Sequence, residues 1–513
     1  MNLARNTAVT TLSSLLAVAS GVILDGITVA VFGFGIETDA YFIASLIPLA
    51  VITIVNLQAG KVVQPLFIHA WSGEGALEAW RFLRVSITIA TSVLLLLGLV
   101  CLPIAPFLMK LQAPGSSEST LVLAARLCLL FFLIPTLYAP TILMKEALTA
   151  LGNFGVPGSL KLIENVFKIA FTLLLVRTLG VFALPVGMVA GAMAQLGVVY
   201  VALNRRGFAF RPAFHLRDAK VKKALALIRF PTISHFSSVL TEIVQNMFAS
   251  LAGAGSVSAL RLSTRIVDAL AGLLVNSIVV VIMPMVTHNL ANNDSVRMKA
   301  NIRDAIRLLL LLSIPASAWL LIMNGPLITA LFQRMRFSAS DTELVSSLLV
   351  LMIPYILFSR LFSLAETGFY GGCDTRTPVL VALSLNAVYL GLMAVLFAPF
   401  SIHALPVARS LSYLFGAGLM LYLLRRKYGS LGLGGLNHAA VKVVAATGFM
   451  ALCILIGREL CEYLNLSGTP SKVVNLALPS LLGFIGLAGS CVSLKIVNWR
   501  ALRPVAPSPK VAG

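Results

Sequence analysis

The stretch TSVLLLLGLVCLPIAPFLM, residues Thr91–Met109, contains no charged side chain. About 20 apolar residues are needed for a helix to cross the ~30 Å hydrocarbon core of a bilayer. Because backbone N–H and C=O groups in hydrocarbon must find partners within the protein, a spanning segment of this kind is expected to be helical. The stretch therefore predicts a transmembrane helix.

The composition of the whole chain indicates a protein that crosses the membrane many times. Of its 513 residues, 58% are hydrophobic and 11% are charged, whereas a soluble domain is about 45–50% apolar and about 25% charged. Apolar runs recur at the length of a span, so we predict an all-α polytopic membrane protein with about fourteen transmembrane helices. The predicted spans lie near residues 7–31, 40–67, 86–109, 120–143, 158–177, 181–203, 226–250, 256–287, 305–331, 344–369, 377–399, 402–424, 438–462 and 473–496.

Several other classes of protein are not expected. The first apolar run is longer than the apolar core of a cleavable signal peptide. The six cysteines form no CxxC pair, so neither a disulfide framework nor a metal site is predicted. The sequence has no GxxxxGKS/T loop and no other catalytic motif, so we predict a transporter without a cofactor rather than an enzyme. Its energy source is expected to be the membrane potential or a gradient of a monovalent cation.

The distribution of basic residues predicts the orientation of the helices. Cytoplasmic loops of membrane proteins carry an excess of Lys and Arg, and alternate loops of this chain are basic, most of all Asn204–Lys223. The rule places both termini in the cytoplasm and the turn FGFGIETDAYF, Phe32–Phe42, outside. It also accounts for the net charge of +20 without a nucleic acid partner, because the basic loops lie on the lipid bilayer.

An internal repeat divides the chain into two similar halves. The segment Glu146–Asn165 can be laid on Ala365–Asn386, and Phe32–Ala40 on Leu251–Ala259, at a common offset of about 220 residues. Six spans per copy give both copies the same orientation, as in transporters whose site lies between two parallel repeats. The predicted domains are an N-terminal lobe (1–203), a basic cytoplasmic linker (204–225), a C-terminal lobe (226–424), a cytoplasmic loop (425–437), two further helices (438–497) and a cytoplasmic tail (498–513).

Ionisable residues inside the predicted spans are candidate functional residues, because charge in a membrane is costly and usually faces a partner or a cavity. Arg261 and Arg265 are four residues apart and share a helix face, with Asp268 close to it. Two arginines can bind a phosphate-like group through bidentate pairs; a buried network that joins helices is the alternative. Glu164 and Lys168, also four apart, are expected to pair with each other. The other candidates are Asp25, Lys61, Arg126, Glu242, Arg360 and Glu366.

Three segments connect this chain with a known family: FGFGIETDAYFIASLIP (Phe32–Pro48), GSVSALRLSTRIVDALAGLL (Gly255–Leu274) and GFYGGCDTRTPV (Gly368–Val379). They resemble the MurJ/MviN family of lipid II flippases, which belongs to the multidrug/oligosaccharidyl-lipid/polysaccharide exporter superfamily. The resemblance covers essentially the whole chain. It implies fourteen helices, two six-helix lobes around a V-shaped cavity, and alternating access. The cavity is expected to be cationic and to receive the diphosphate of an undecaprenyl-linked sugar.

The resemblance also implies roles for individual residues. Asp39 and Asp25 match acidic positions of the family, and Arg265 matches its cavity arginine in the eighth helix. Asp39 is expected to act at an outer gate, where acidic groups of the turn pair with basic residues of the opposite lobe. The predicted substrate-binding residues are Arg265, Arg261 and Lys61, and the predicted gating or coupling residues are Asp39, Asp25, Glu242 and Asp268.

The chain departs from the family at three cationic positions. The family's first-helix arginines would fall at Val18 and Leu24, and its second-helix arginine would fall at or near Ile52. All three residues are apolar here. Lys61 and Arg261 bring positive charge to other places, so the scaffold resembles the family more closely than the expected binding site does.

The leading hypothesis is a flippase of the bacterial inner membrane that moves lipid II or a related undecaprenyl-diphosphate-linked sugar for peptidoglycan synthesis. Its partners would be the lipid-linked diphosphate glycan, the bilayer and proteins of cell-envelope biosynthesis. Three alternatives stay open. The first is a flippase for an exopolysaccharide or capsule precursor, and the second is a cation-coupled small-molecule exporter with an acidic ion site at Asp25, Glu242 or Glu366. The third is a scaffold that does not transport.

Overall fold

The structure is a computed structural model that describes residues 3–215, 219–292, 294–334, 336–372, 374–432, 436–463 and 469–494. Over these ranges the chain forms helices joined by turns and loops, and none of the residues described is in a β-strand. The helices are α1 (Leu3–Phe32), α2 (Ile36–Gln58), α3 (Gln64–Gly73), α4 (Ala76–Gln112), α5 (Glu118–Phe131), α6 (Ile134–Ala150), α7 (Gly155–Leu179), α8 (Ala183–Asn204), α9 (Ala219–Leu251), α10 (Ser256–Ala291), α11 (Ser295–Leu331), α12 (Ala339–Leu351), α13 (Ile353–Gly371), α14 (Arg376–Phe400), α15 (Ala404–Tyr428), α16 (Leu436–Tyr463) and α17 (Thr469–Ser493).

Each predicted span corresponds to one helix or to two helices separated by a short break. In the described part of the chain, eight helical segments are long and apolar enough to cross a membrane, and α12 with α13, bent by 41°, forms a ninth. Two of the eight, Gly155–Asn204 and Arg376–Tyr428, each contain two predicted spans. The end of the last predicted span, at residue 496, lies outside the described residues. The prediction of an all-α polytopic membrane protein is confirmed.

Helix breaks recur at matching places in the two halves of the sequence. The break between α5 and α6 falls beside Pro135, and the break between α12 and α13 falls beside Pro354. Because proline has no N–H group, it fits in the first turn of a helix and not in its interior. The 3₁₀ turns Gly180–Phe182 and Ser401–His403 separate α7 from α8 and α14 from α15. Both pairs of breaks have the offset of the predicted repeat, which they support.

The helices group into two compact units that are not contiguous in sequence. The first unit consists of Met1–Ile266, Leu331–Leu348 and Ala382–Ser412, and the second of Val267–Ala330, Leu349–Val381 and Tyr413–Gly513. The predicted lobes, residues 1–203 and 226–424, follow the sequence repeat and stay a prediction. Of the residues predicted to bind substrate or to act in gating or coupling, only Asp268 belongs to the second unit.

In the first unit, α7 and α8 pack with their backbones close together. A Cβ atom built on Gly187 would lie 3.1 Å from the backbone of Lys168, and one built on Gly191 would lie 3.1 Å from the carbonyl oxygen of Glu164. Small residues four apart allow such an approach between helices in a membrane. The same face of α8 carries Gln195 one turn further on, where its side chain reaches Glu164.

In the second unit, α11 packs against the hairpin formed by α16 and α17. Met323 of α11 and two residues of α16, Met450 and Ile454, form a fully buried cluster. The indole N–H of Trp319 donates a hydrogen bond of 2.9 Å to the hydroxyl of Ser480 in α17. The two C-terminal helices that lie beyond the predicted repeat are therefore packed against the rest of the second unit.

The contact at Gly191 is expected to determine how closely α8 packs on α7. Replacing Gly191 with leucine should lower stability by about 1–3 kcal/mol, because overpacking forces backbones apart. The measurement is thermal unfolding of the purified protein in detergent. Gly197→Leu is the matched control, since a Cβ at Gly197 meets no atom within 4 Å. Equal stability of the two variants would contradict the close approach.

Candidate functional site

The two arginines predicted to bind substrate are each paired with a carboxylate. The Nε atom of Arg265 lies 3.2 Å from Oδ2 of Asp25 in α1, and an Nη atom of Arg261 lies 3.5 Å from Oε2 of Glu242 in α9. Both arginines project from the first turns of α10, at the spacing that the sequence analysis used. The structure thus brings together four of the predicted site residues in two ion pairs.

Arg265 lies along the surface of α1 between two residues one turn apart. A Cβ atom built on Gly21 would be 3.2 Å from an Nη atom of Arg265. The Nε–H group of Arg265 donates a hydrogen bond to Asp25. The arginine keeps 57% of its side-chain surface exposed, and Asp25 keeps 28%. The guanidinium group is therefore held on one side and open on the other, as a group that binds an external anion must be.

The predicted pair of Glu164 and Lys168 belongs to a larger network on α7. Glu164 Oε1 accepts hydrogen bonds from Lys168 and, at 2.8 Å, from Lys161. Its Oε2 atom accepts one of 3.1 Å from Gln195. Asn165, the next residue, donates to Ser20 Oγ at 2.8 Å and to a backbone carbonyl of α1. The network ties α7 to α8 and α1 on the same side as the Asp25–Arg265 pair.

Sequence reasoning missed Lys161 and Gln195 as members of this network. Lys161 lies in the second turn of α7 and inside the predicted span 158–177, but the sequence analysis did not name it among the intramembrane charges. Its spacing of three residues from Glu164 was the available signal, because residues three and four apart share a helix face. Gln195 gave no signal, since its partner lies 31 positions away on another helix.

The remaining predicted residues lie elsewhere. Asp268 belongs to the second unit, where Tyr355 donates a hydrogen bond of 2.8 Å to it. Lys61 lies in a π-helical turn, Ala59–Val63, that follows α2. Its side chain is outside the described residues. Turns of this kind are frequent at functional sites, and a Cβ built on Gly60 would lie 3.6 Å from the buried carboxylate of Glu146.

The turn between α1 and α2, predicted to lie outside, places Asp39 against the start of α10. The carboxylate accepts hydrogen bonds from the backbone N–H groups of Gly255 (2.6 Å) and Ser258 (2.9 Å) and from the hydroxyl of Ser258. Asp39 is only 3% exposed. A carboxylate at a helix N-terminus satisfies free N–H groups and interacts favourably with the helix dipole. Asp39 therefore caps a helix 216 residues away in sequence.

The expected pairing of an acidic and a basic residue occurs at Glu37, two residues before Asp39. An Nη atom of Arg336 lies 3.5 Å from Oε2 of Glu37, and both side chains are largely exposed. The backbone N–H of Arg336 donates to the carbonyl of Ala30, and Phe34 packs edge-to-face on Phe337 at 5.1 Å. The turn after α1 is thus joined to two segments of the first unit, the start of α10 and the residues after α11.

The third motif of the sequence analysis forms an ion pair outside the spans, in the second unit. Asp374, between α13 and α14, accepts a hydrogen bond of 2.8 Å from Lys427 at the end of α15. This hydrogen bond, with others from Thr377, lowers the pKa of the Asp374 carboxyl to about 2. The pair joins the loop to the end of α15 at neutral pH.

Metal binding has no obvious location in the part of the chain that the structure describes. Among those residues no group of three or more His, Cys, Asp or Glu side chains could hold a metal ion. The charged groups of the site are instead arginines, lysines and the carboxylates paired with them. Such an arrangement can bind an anion if the anion displaces a carboxylate.

Comparison of the sequence with known proteins identifies one family. The model of the family "Lipid II flippase MurJ" matches residues 28–473. A probable lipid II flippase MurJ from Rickettsia prowazekii is 24% identical over 403 residues, 77% of this chain and 78% of the relative. Another, from Buchnera aphidicola subsp. Acyrthosiphon pisum, is 21% identical over 485 residues, 93% of this chain and 94% of the relative.

Solved structures share the fold. A structure of lipid II flippase MurJ in an inward closed conformation has a TM-score of 0.77 and 19% identity, and covers 95% of this chain and 99% of that chain. An inward-facing multidrug resistance MATE family transporter of the MOP superfamily has a TM-score of 0.70 and 12% identity, and covers 83% of this chain and 98% of that chain. Since the family model spans most of the sequence, this chain belongs to the MurJ family of lipid II flippases.

Proposed function

We propose that this protein moves lipid II, an undecaprenyl-diphosphate-linked sugar, across the bacterial inner membrane for peptidoglycan synthesis. The observation that carries the proposal is the half-exposed guanidinium of Arg265 in α10, inside the predicted span 256–287, with Asp25 as its ion-pair partner. A cation kept accessible inside a span is costly and is typical of a substrate pathway. Membership of the MurJ family supplies the identity of the substrate.

The chemistry of a diphosphate fits the paired arginines. Arg binds phosphate oxygens through two parallel N–H···O bonds, and these bonds are stronger than those between neutral groups. In the structure, Asp25 forms an ion pair with Arg265, and Glu242 forms one with Arg261. An incoming diphosphate would displace these carboxylates, so substrate binding would change the charge balance on α1, α9 and α10 together.

Asp39 would couple that change to the outer side of the protein. Its hydrogen bonds to Gly255 and Ser258 hold the outer turn on the first turn of α10, the helix that also carries Arg261 and Arg265. Opening of the outer side would require these bonds to break. The same helix would therefore take part in both substrate binding and outer closure, as alternating access requires.

The cation-coupled exporter is less well supported. It needs a carboxylate able to hold a cation inside the spans, and two of its three candidates, Asp25 and Glu242, have an arginine as their partner. The third, Glu366, lies on α13 in the second unit. A paired arginine already supplies the positive charge that a bound cation would bring.

The proposed function predicts that this chain rescues bacterial cells depleted of their own lipid II flippase. Arg265→Ala should abolish rescue and reduce lipid II flipping at least ~10-fold, because a hydrogen bond to a charged group contributes about 1.5–3 kcal/mol. Growth and lipid II exposure on the outer leaflet are the measurements. Arg177→Ala, which removes an exposed arginine in the last turn of α7, is the matched control and should rescue normally.

Failure of rescue by a protein that is well expressed and inserted would contradict lipid II as the substrate. It would favour another lipid-linked diphosphate glycan. Rescue by Arg265→Ala at the wild-type level would contradict the role of Arg265.

The two acidic residues of the outer turn are predicted to differ in importance. Asp39→Asn should reduce flipping at least ~10-fold and open the outer side, because it weakens a buried helix cap. Glu37→Gln should change flipping less than ~2-fold, since an exposed ion pair contributes little. Opening is measured by an impermeant maleimide on Ser256→Cys, a buried position, in a background without the native cysteines.

Labelling of Ser256→Cys should rise several-fold in the Asp39→Asn background and stay low in the Glu37→Gln background. Equal labelling of the two would show that the buried cap does not keep the outer side closed. An effect confined to Glu37→Gln would assign closure to the exposed ion pair instead.

A further inference from the structure

Beside the Asp25–Arg265 pair lies a second set of charges, on α7. Asp25 interacts electrostatically with Lys168 and Lys161 as well as with Arg265. Glu164 pairs with the same two lysines. These five residues form a cluster of three cations (Arg265, Lys161 and Lys168) and two carboxylates (Asp25 and Glu164). The cluster therefore has one more cation than it has carboxylates.

The two lysines that pair with Glu164 differ in their exposure to solvent. Lys168 is buried, with 11% of its side-chain surface exposed, whereas Lys161 is 54% exposed. Glu164 is buried and keeps Lys168 and Gln195 as partners if Lys161 moves away. Since a buried carboxylate needs at least one charged partner, Lys168 meets that need. Lys161 is thus the cation that can leave its carboxylate at little cost.

Lys161 lies on the inner face of α7, toward the other charges. In a helix, residues seven and eleven positions apart return to nearly the same face. The residues at those distances from Lys161 are Lys168 and Thr172, and both are buried. The opposite face presents exposed apolar side chains such as Val166 and Leu174, which suit lipid. The exposed surface of Lys161 consequently belongs to the protein's polar side.

We infer that Lys161 is a phosphate-binding residue of the substrate site, acting with Arg265 on the diphosphate of the lipid-linked substrate. The inference rests on the proposed function and names a residue that would supply positive charge in a chain whose Val18, Leu24 and Ile52 are apolar. Lys161 releases Glu164 and donates a hydrogen bond to a phosphate oxygen. Lys168 continues to balance the negative charge of Glu164, and Gln195 keeps its hydrogen bond to the carboxylate. The flexible ammonium group of lysine suits such a transfer between two oxygen partners.

The test is binding of undecaprenyl diphosphate to the full-length protein in nanodiscs, with neutral undecaprenol as the reference ligand. Lys161→Gln should weaken diphosphate binding about tenfold, which corresponds to 1.4 kcal/mol, and should leave undecaprenol binding unchanged. Lys161→Arg should retain binding within about threefold of wild type, because it keeps the charge. Lys110→Gln, at the exposed end of α4, is the matched control. Thermal unfolding of Lys161→Gln should match that of the wild type.

The outcomes separate this inference from the proposed function. Wild-type affinity of Lys161→Gln, with binding lost in Arg265→Ala, would overturn the role of Lys161 and leave the flippase intact. Equal loss of both ligands in Lys161→Gln would also overturn it, since the lysine would then act on the lipid chain or on the fold. A wild-type protein that binds undecaprenyl diphosphate no better than undecaprenol would overturn both proposals.

Discussion

The pairing of charged side chains inside the predicted spans with opposite charges is the constraint on which the site depends. A charge in hydrocarbon costs several kcal/mol or more unless a partner compensates it. Glu164 with Lys168, Asp25 with Arg265, and Glu242 with Arg261 meet this requirement. The first pair lies within α7, and the other two join α10 to α1 and to α9. The positions of the charged residues therefore help to determine which faces of α1, α9 and α10 pack together.

Under the proposed function, the same constraint would let substrate binding drive a conformational change. An arginine that binds the diphosphate would leave its carboxylate, and the released carboxylate would then need another partner or water. α10 carries both arginines close to the first turn that Asp39 caps. In the proposed mechanism, a change of partners on this helix would act on the contact that holds the turn between α1 and α2. The cap itself contributes about 0.3–2 kcal/mol, which is small enough to be overcome by the binding of an anion.

Much of the fold could be predicted from the sequence, because the membrane restricts the choices. Long apolar runs can cross it only as helices. The helix breaks beside Pro135 and Pro354 were not predicted, and they fall inside the single predicted spans 120–143 and 344–369. The spacing of Arg261 and Arg265 correctly placed them on one helix face. Local patterns could not predict the partner of Asp39, since that partner is a pair of backbone N–H groups more than 200 positions away.

The candidate site was predicted less completely than the fold for a physical reason. Sequence shows which residues carry charge and not how two helices are rotated toward each other. Lys161 was missed although it lies inside the predicted span 158–177, because its pairing with Glu164 and its exposure depend on side-chain directions that the sequence does not show. Glu37 and Asp39 were expected to pair with basic residues, and only Glu37 does so with a described one.

The central claim is that carboxylates hold the cations of the site until a diphosphate replaces them. The affinity of Asp25→Asn for undecaprenyl diphosphate, measured in nanodiscs beside the wild type, tests this most directly. If Asp25 competes with the ligand for Arg265, the variant should bind several-fold more tightly and flip more slowly, because the ligand no longer displaces a carboxylate. Weaker or unchanged binding by a correctly folded Asp25→Asn protein would contradict the claim.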